Sequence, residues 1–243
     1  MSQAVYLNRN LPDNLELTRR LVAHKLPVIV EPLITIDYLP FEQPIVDKNT
    51  AIIATSRYGL FGLLKTCPTI NRKTRVFCVG GATAEAAKNL GFKNIITGPG
   101  NAFELTAQIK ALGNNEDRFV YARGEDISFP LEESLSDLPQ SFLAIITYVA
   151  KARLSFTKRL VDKLKNQEIG ASVFYSARTA KIFLNLILQH ELLSILEEMT
   201  LVCISNNVAE AFEKHSLKKI IPQDFSSETV AQAINNLFSS DSS

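Results

Sequence analysis

The sequence predicts an α/β protein built on two open parallel sheets, each covered by helices on both faces. Short apolar runs alternate with amphipathic segments of helical length along the whole chain, the pattern of buried parallel strands joined by crossover helices. Arg75 to Gly91, RVFCVGGATAEAAKNLG, reads as one complete unit of that pattern: an apolar strand, a glycine turn and a helix closed by Gly91. This unit recurs at Leu201 to Ile221. Cys78 and Cys203, Ala84 and Ala209, and Ile95 and Ile220 all stand 125 residues apart, so the chain reads as an internal duplication.

In chain order, Ala4 to Leu7 reads as a strand, stopped by the run Asn10 to Asp13, where Pro12 or Asp13 opens a helix. Leu17, Leu21 and Val22 mark the helix Leu15 to Lys25, and Val28 to Val30 a second strand. The proline-rich run Pro32 to Pro44 reads as an extended crossing segment. Strands follow at Ala51–Ala54, Val76–Val79, Asn94–Thr97, Phe119–Ala122 and Leu143–Val149, with helices at Tyr58–Leu64, Ala82–Leu90, Phe103–Leu112 and Leu131–Leu138 between them. Beyond these come a helix Phe156–Leu164, a strand Ser172–Tyr175 and a helix Thr179–His190. A strand Leu201–Ile204, a helix Val208–Lys214, a strand Lys219–Ile221 and a helix Glu228–Phe238 follow, and the tail Ser239 to Ser243 reads as frayed. Ala51–Ser56 and Ala171–Ser176 match at an offset of 120, and Val5-Tyr6 matches Val120-Tyr121 loosely, each ahead of an arginine. Each half thus supplies about five strands. Sheets of this kind take ligands outside the carboxyl ends of their strands.

Composition narrows the function. The 243 residues are 46% hydrophobic and 21% charged, with net charge +1, which gives no electrostatic signal for nucleic acid. Apolar stretches fall far short of the roughly 18 residues a membrane span needs. The opening MSQAVYLNRN lacks the pattern of a secretory signal, and Cys67, Cys78 and Cys203 have no metal-site or disulfide spacing. A cytoplasmic protein is expected.

Four hydroxyl residues, Ser56, Thr83, Ser176 and Ser205, read as standing at strand ends just ahead of helices. Helix capping accounts for any one of them. Their repeated placement also suggests an anion cradle, in which a hydroxyl joins the amides of a helix N-terminus, as at Gly81 and Ala82 after Gly80. Gly80-Gly81 lacks the lysine and spacing of a nucleotide-phosphate loop. His24, His190 and His215 have no metal spacing, and no nucleophile–base order appears. Arg123-Gly124-Glu125 reads as a turn after a strand, and Tyr148 ends an apolar strand where the chain leaves one domain. Lys151, Arg153, Arg57 and Arg178 read as a solvated basic face.

The ordered set TSRYGL from Thr55, VFCVGGATAEAAKNLGF from Val76, YARGE from Tyr121, ITYVA from Ile146, FYSART from Phe174 and CISNNVAEAF from Cys203 resembles the uroporphyrinogen-III synthase family over nearly the full length. The resemblance implies two flavodoxin-like domains joined by a two-stranded linker. Residues 1–35 with 152–243 would form the first, 45–147 the second, and about 36–44 and 148–151 the linkers. It implies cyclisation of hydroxymethylbilane to uroporphyrinogen III, with inversion of the last ring, loss of water and no cofactor. Tyr148 matches the family tyrosine that assists departure of the hydroxyl, and Ser56, Thr83, Ser176, Ser205, Gly81 and Ala82 would hold substrate carboxylates. A monomer is expected, working on a linear tetrapyrrole handed on from hydroxymethylbilane synthase, without nucleic acid, metal or membrane. In this chain Arg9 is followed by Asn10, with the proline displaced to Pro12, which departs from the arginine–proline pair common in the family. The alternative from the residues alone is a non-catalytic two-domain small-anion binding protein.

Overall fold

The computed structural model describes residues 3–114, 116–138 and 141–240. The chain divides into two compact units, Met1–Thr35 with Ala152–Ser243 and Ile36–Lys151.

The chain opens with β1 (Ala4–Leu7), α1 (Leu11–Ala23) and β2 (Val28–Val30), then enters β3 (Ile34–Tyr38). Helix α1 starts four residues earlier than its apolar spacing predicts, because Pro12 fits the first turn, where no amide hydrogen is needed. The continuous unit follows: β4 (Thr50–Ala54), α2 (Arg57–Thr66), β5 (Arg75–Cys78), α3 (Gly81–Asn89), β6 (Asn94–Thr97), α4 (Ala102–Leu112), β7 (Arg118–Gly124), α5 (Leu131–Ser134) and the long β8 (Ser141–Ala152). The chain returns through α6 (Lys158–Lys165), β9 (Ile169–Phe174), α7 (Ala177–Gln189), α8 (Leu193–Leu196), β10 (Thr200–Cys203), α9 (Asn206–Ala209), β11 (Lys218–Ile220) and α10 (Ser227–Ser240).

One sheet runs β11-β10-β9-β1-β2 and the other β3-β8-β7-β4-β5-β6. Apart from β3, the second order repeats the first: β6, β5, β4, β7 and β8 take the places of β11, β10, β9, β1 and β2. The pairs β1–β2, β1–β9, β9–β10 and β10–β11 are parallel, as are β4–β5, β4–β7, β5–β6 and β7–β8. Two flavodoxin-like α/β sheets result, and the duplication is visible in their topology.

The registers place the duplication residue by residue. Ala51 lies opposite Phe119, and Ala171 lies opposite Val5. With Ala51 equivalent to Ala171, Val5 is therefore equivalent to Phe119, Leu7 to Tyr121 and Arg9 to Arg123. The looser match of Val5 to Val120 is one position out, and a one-residue slip turns every side chain to the opposite face.

The central strands of both sheets are buried on both faces. Ile52, Val76 and Cys78 pack against Leu60 and Leu63 of α2 and Ala87 of α3, while Ile53, Phe77 and Phe119 pack against Leu105 and Ile109 of α4. In the other unit Phe174, Leu201 and Cys203 meet Phe183 and Leu160, while Val5, Val173 and Val202 meet Leu17, Leu21 and Val230. Burial pushes the Cys78 thiol up to about 12 and the Cys203 thiol to about 11, so both act as small hydrophobes.

Several segments differ from the sequence expectation. Strand β7 continues through Arg123 and Gly124, because β8 pairs with it as far as Tyr148; these residues are not a turn. Helix α5 is one turn, and the segment predicted as the helix Val208–Lys214 is the short α9 followed by a 3-10 turn, Glu210–Phe212. Asn206 and Asn207 are poor helix formers in its first turn. Helix α10 reaches Ser240, so Ser239 and Ser240 belong to it, whereas 241–243 lie outside the described residues.

Candidate active site

The clearest chemical site in the continuous unit stands at the carboxyl ends of β4, β7 and β8. It begins with the close seating of α2. A Cβ on Gly59 would come within 2.3 Å of the Ala122 carbonyl oxygen, and one on Gly62 within 2.7 Å of the Thr147 carbonyl oxygen. Glycines at these positions let the helix lie directly on β7 and β8. That contact fixes Ser56, the N-cap of α2, whose hydroxyl accepts a hydrogen bond from the Tyr58 amide at 3.2 Å.

The Ser56 hydroxyl also hydrogen-bonds the Tyr148 phenol. Tyr148 stacks obliquely on Tyr58, with ring centroids 5.9 Å apart. Ser56 and Tyr148, together with Thr55, Tyr121, Gly124 and Asp126, line a cavity of about 130 Å³. Burial raises the Tyr148 pKa above its ordinary value; the Ser56 hydrogen bond opposes the shift and the Asp126 charge adds to it. Like any tyrosine near its ordinary value, the phenol is protonated at neutral pH, and the upward shift extends its range as a hydrogen-bond donor to higher pH.

Tyr121 and Thr55 are functional candidates that pattern reading missed. The Tyr121 hydroxyl stands 3.0 Å from Thr55 Oγ1, and burial raises its pKa, with the Thr55 bond opposing. The alternation of β7 assigns Tyr121 to the core, which hides its hydroxyl. A signal was present in Thr55, the immediate neighbour of Ser56.

The glycine corner of β5 and α3 lies one strand over from β4. Gly80 is the N-cap, Gly81 and Ala82 are exposed in the first turn, and Gly91 takes φ +92 after the helix. The amides of Thr83 and Ala84 are bonded to the Gly80 carbonyl at 3.1 and 3.0 Å. Thr83 is not a strand-end cap: it sits inside α3 and is only 6% exposed. At the 125-residue offset Ser205 is equivalent to Gly80, so Thr83 and Ser205 do not occupy matching positions.

In the other unit, Ser176 caps α7, accepting from the Thr179 amide at 3.1 Å. Its hydroxyl also stands 2.8 Å from Thr179 Oγ1. Ser205 is the N-cap of α9 but makes no side-chain cap bond. The Arg9 guanidinium lies over the Tyr175 ring, 4.8 Å from its centroid, and pairs with Asp13 at 3.6 Å. Its equivalent, Arg123, is tied to its own segment through the carbonyls of Gly124 and Glu125 and through Glu132. Lys151 pairs with Asp37 and Arg153 with Glu31. Among the described residues no cluster of three or more His, Cys, Asp or Glu side chains is placed to hold a metal ion, and no helix is long and apolar enough to cross a membrane.

Comparison with solved structures agrees with the fold. The uroporphyrinogen-III synthetase of Helicobacter pylori 26695 matches with TM-score 0.63 at 18% identity, over 97% of this chain and 99% of that one. A mutant uroporphyrinogen III synthase from the extremely thermophilic bacterium Thermus thermophilus matches with TM-score 0.52 at 13% identity, over 98% and 99%. A search of curated proteins finds no match. The family model described as Uroporphyrinogen-III synthase HemD matches residues 16–232. The chain belongs to the uroporphyrinogen-III synthase family. Membership makes it a cyclising lyase of tetrapyrrole and heme biosynthesis. The match to the synthase family spans β4 through β8, and with them the cavity at Tyr148.

Proposed function

We propose that this chain closes hydroxymethylbilane to uroporphyrinogen III at the Tyr148 cavity. The observation that carries the reading is the Tyr148 phenol, hydrogen-bonded to Ser56 and lining a cavity at the carboxyl end of a parallel sheet. Tyr148 donates its proton to the substrate's hydroxyl as the carbon–oxygen bond breaks. The bonding pair leaves with the oxygen, water departs, and the electron-rich pyrrole stabilises the remaining cation. The last ring attacks through its already substituted carbon and forms a spiro intermediate. The older methylene bond at that carbon then breaks, leaving the cation on the neighbouring ring's methylene. The last ring's free carbon closes onto that methylene, and the proton this carbon loses as the ring regains aromaticity restores the phenol. Little covalent chemistry is asked of the protein, whose contribution is positioning.

The substrate carries carboxylates on every ring. First-turn amides at Gly81 and Ala82 support a role in holding them, as do the caps Ser56, Ser176 and Ser205. Thr83, inside its helix, enters this reading as support for the glycine corner. Residues 36–44 and 148–151 are read as the connections between units, with one chain as the working unit. Its substrate arrives from hydroxymethylbilane synthase, and three buried, unpaired cysteines favour a reducing compartment such as the cytoplasm.

The test supplies hydroxymethylbilane and separates the product isomers. The type I isomer forms spontaneously, so accumulation of type III at a rate proportional to enzyme supports the reading. Type I alone at all enzyme concentrations refutes it and leaves a binding protein.

A further inference from the structure

The duplication supplies an internal comparison for one residue of the cavity. Tyr121 on β7 is equivalent to Leu7 on β1. Both are buried, at 2% and 1% exposure, and both lie within the apolar layer on the corresponding face of their sheets. Leu7 fills its place with hydrocarbon alone. Tyr121 fills the same place and adds a hydroxyl 3.0 Å from Thr55 Oγ1, on the wall that Ser56 and Tyr148 share. Packing at this position needs no polar atom, and burying a hydroxyl is costly unless a partner meets it. The Thr55 bond satisfies one capacity of the phenol, which can both donate and accept. Tyr121 lines the cavity, so a group bound there can meet the second capacity.

We propose that Tyr121 is a further catalytic residue of the same reaction: held by Thr55, its hydroxyl hydrogen-bonds the departing substrate oxygen beside Tyr148. This rests on the reading that the chain closes hydroxymethylbilane at this cavity. Tyr148 supplies the proton that leaves with the oxygen, and the carbon–oxygen pair goes to that oxygen. Tyr121 keeps its own proton and fixes where the oxygen stands as water forms. In the other unit Leu7 holds the matching position and carries no hydroxyl there.

The test uses the full-length protein with Tyr121→Phe, Thr55→Val and the double variant, scored by the rate of type III formation, by KM and by the share of type I. Tyr121→Phe is expected to lower kcat about tenfold, the worth of one positioned neutral hydrogen bond, with KM within about twofold and a larger share of spontaneous type I. The double variant is expected to lose no more than Tyr121→Phe alone, because the two hydroxyls act as one unit. Parental kcat and isomer ratio in Tyr121→Phe would overturn the inference while the parent's type III activity keeps the function standing. A parent that makes only type I overturns both. If Tyr121→Phe fails to fold, Tyr121→Leu, which copies Leu7, and Thr55→Val decide by the same two readouts.

Discussion

Gly124 and Tyr148 are register partners on β7 and β8, and the phenol occupies the volume a side chain at Gly124 would take. A Cβ at that position would lie 2.8 Å from Tyr148 Cζ and 2.9 Å from its hydroxyl oxygen. Gly124 takes an ordinary φ, so its requirement is space and not backbone freedom. Gly124→Ala is expected to push the ring off Ser56. Type III turnover should fall about tenfold or more, with about 1–3 kcal/mol of stability lost to overpacking. Isomer-resolved kinetics beside thermal melting check this, and turnover equal to the parent's would show that Tyr148 does not need that seat.

Tyr148→Phe keeps the ring and its contact with Tyr58 while removing the donor. Turnover at saturating substrate is expected to fall about tenfold to a hundredfold, the low end for a positioned proton donor. Stability should change by about 1 kcal/mol or less, the net worth of one hydrogen bond. An unchanged type III rate would remove the phenol from the chemistry.

Alkaline stability follows from the buried phenols. Burial raises the pKa of Tyr6, Tyr121, Tyr148 and Tyr175 above the ordinary value of about 10. The folded chain therefore holds these protons to higher pH than the unfolded chain does. Their contribution is complete below about pH 10 and is lost as pH climbs through the folded values. Melting temperatures measured across this window should decline, and Tyr121→Phe should flatten the decline. Equal slopes in parent and variant would contradict the assignment.

Two caps separate binding from folding. Ser176 bonds the Thr179 amide, so Ser176→Ala is expected to cost about 1 kcal/mol of stability. Ser205 makes no side-chain cap bond, so Ser205→Ala should leave stability within about 0.5 kcal/mol. A rise in KM for Ser205→Ala would then report substrate contact alone. Urea titration and substrate saturation curves give both quantities, and a KM matching the parent's would take Ser205 out of the binding set.

The sheets were legible in the sequence because a strand buried on both faces is a continuous apolar run, as in Ala51–Ala54 and Val76–Val79. The repeat was legible because Cys78, Ala84 and Ile95 hold one offset through a whole strand–helix–strand unit. The equivalence of β1 and β7 was blurred, since a two-residue match at Val5-Tyr6 cannot fix register; only the pairing to Ala171 and Ala51 does. At the site, Ser56 and Ser176 were readable as hydroxyls before helices. Thr83 was misplaced because two adjacent glycines hide which of them caps the helix. Tyr121 was invisible for a different reason: alternation reports which face a side chain takes, not whether its far end emerges in a cavity.

The strand order carries a consequence for how the protein is made. In the discontinuous unit, β1 lies between β2 and β9, and the Asn8 side chain just past β1 bonds the Val173 carbonyl of β9 across 165 positions of sequence. During synthesis the ribosome must release the whole of the continuous unit before β1 can meet its central neighbour. The inserted half can thus mature on the nascent chain while the opening strands wait, and truncations at the carboxyl end should strike the N-terminal sheet first.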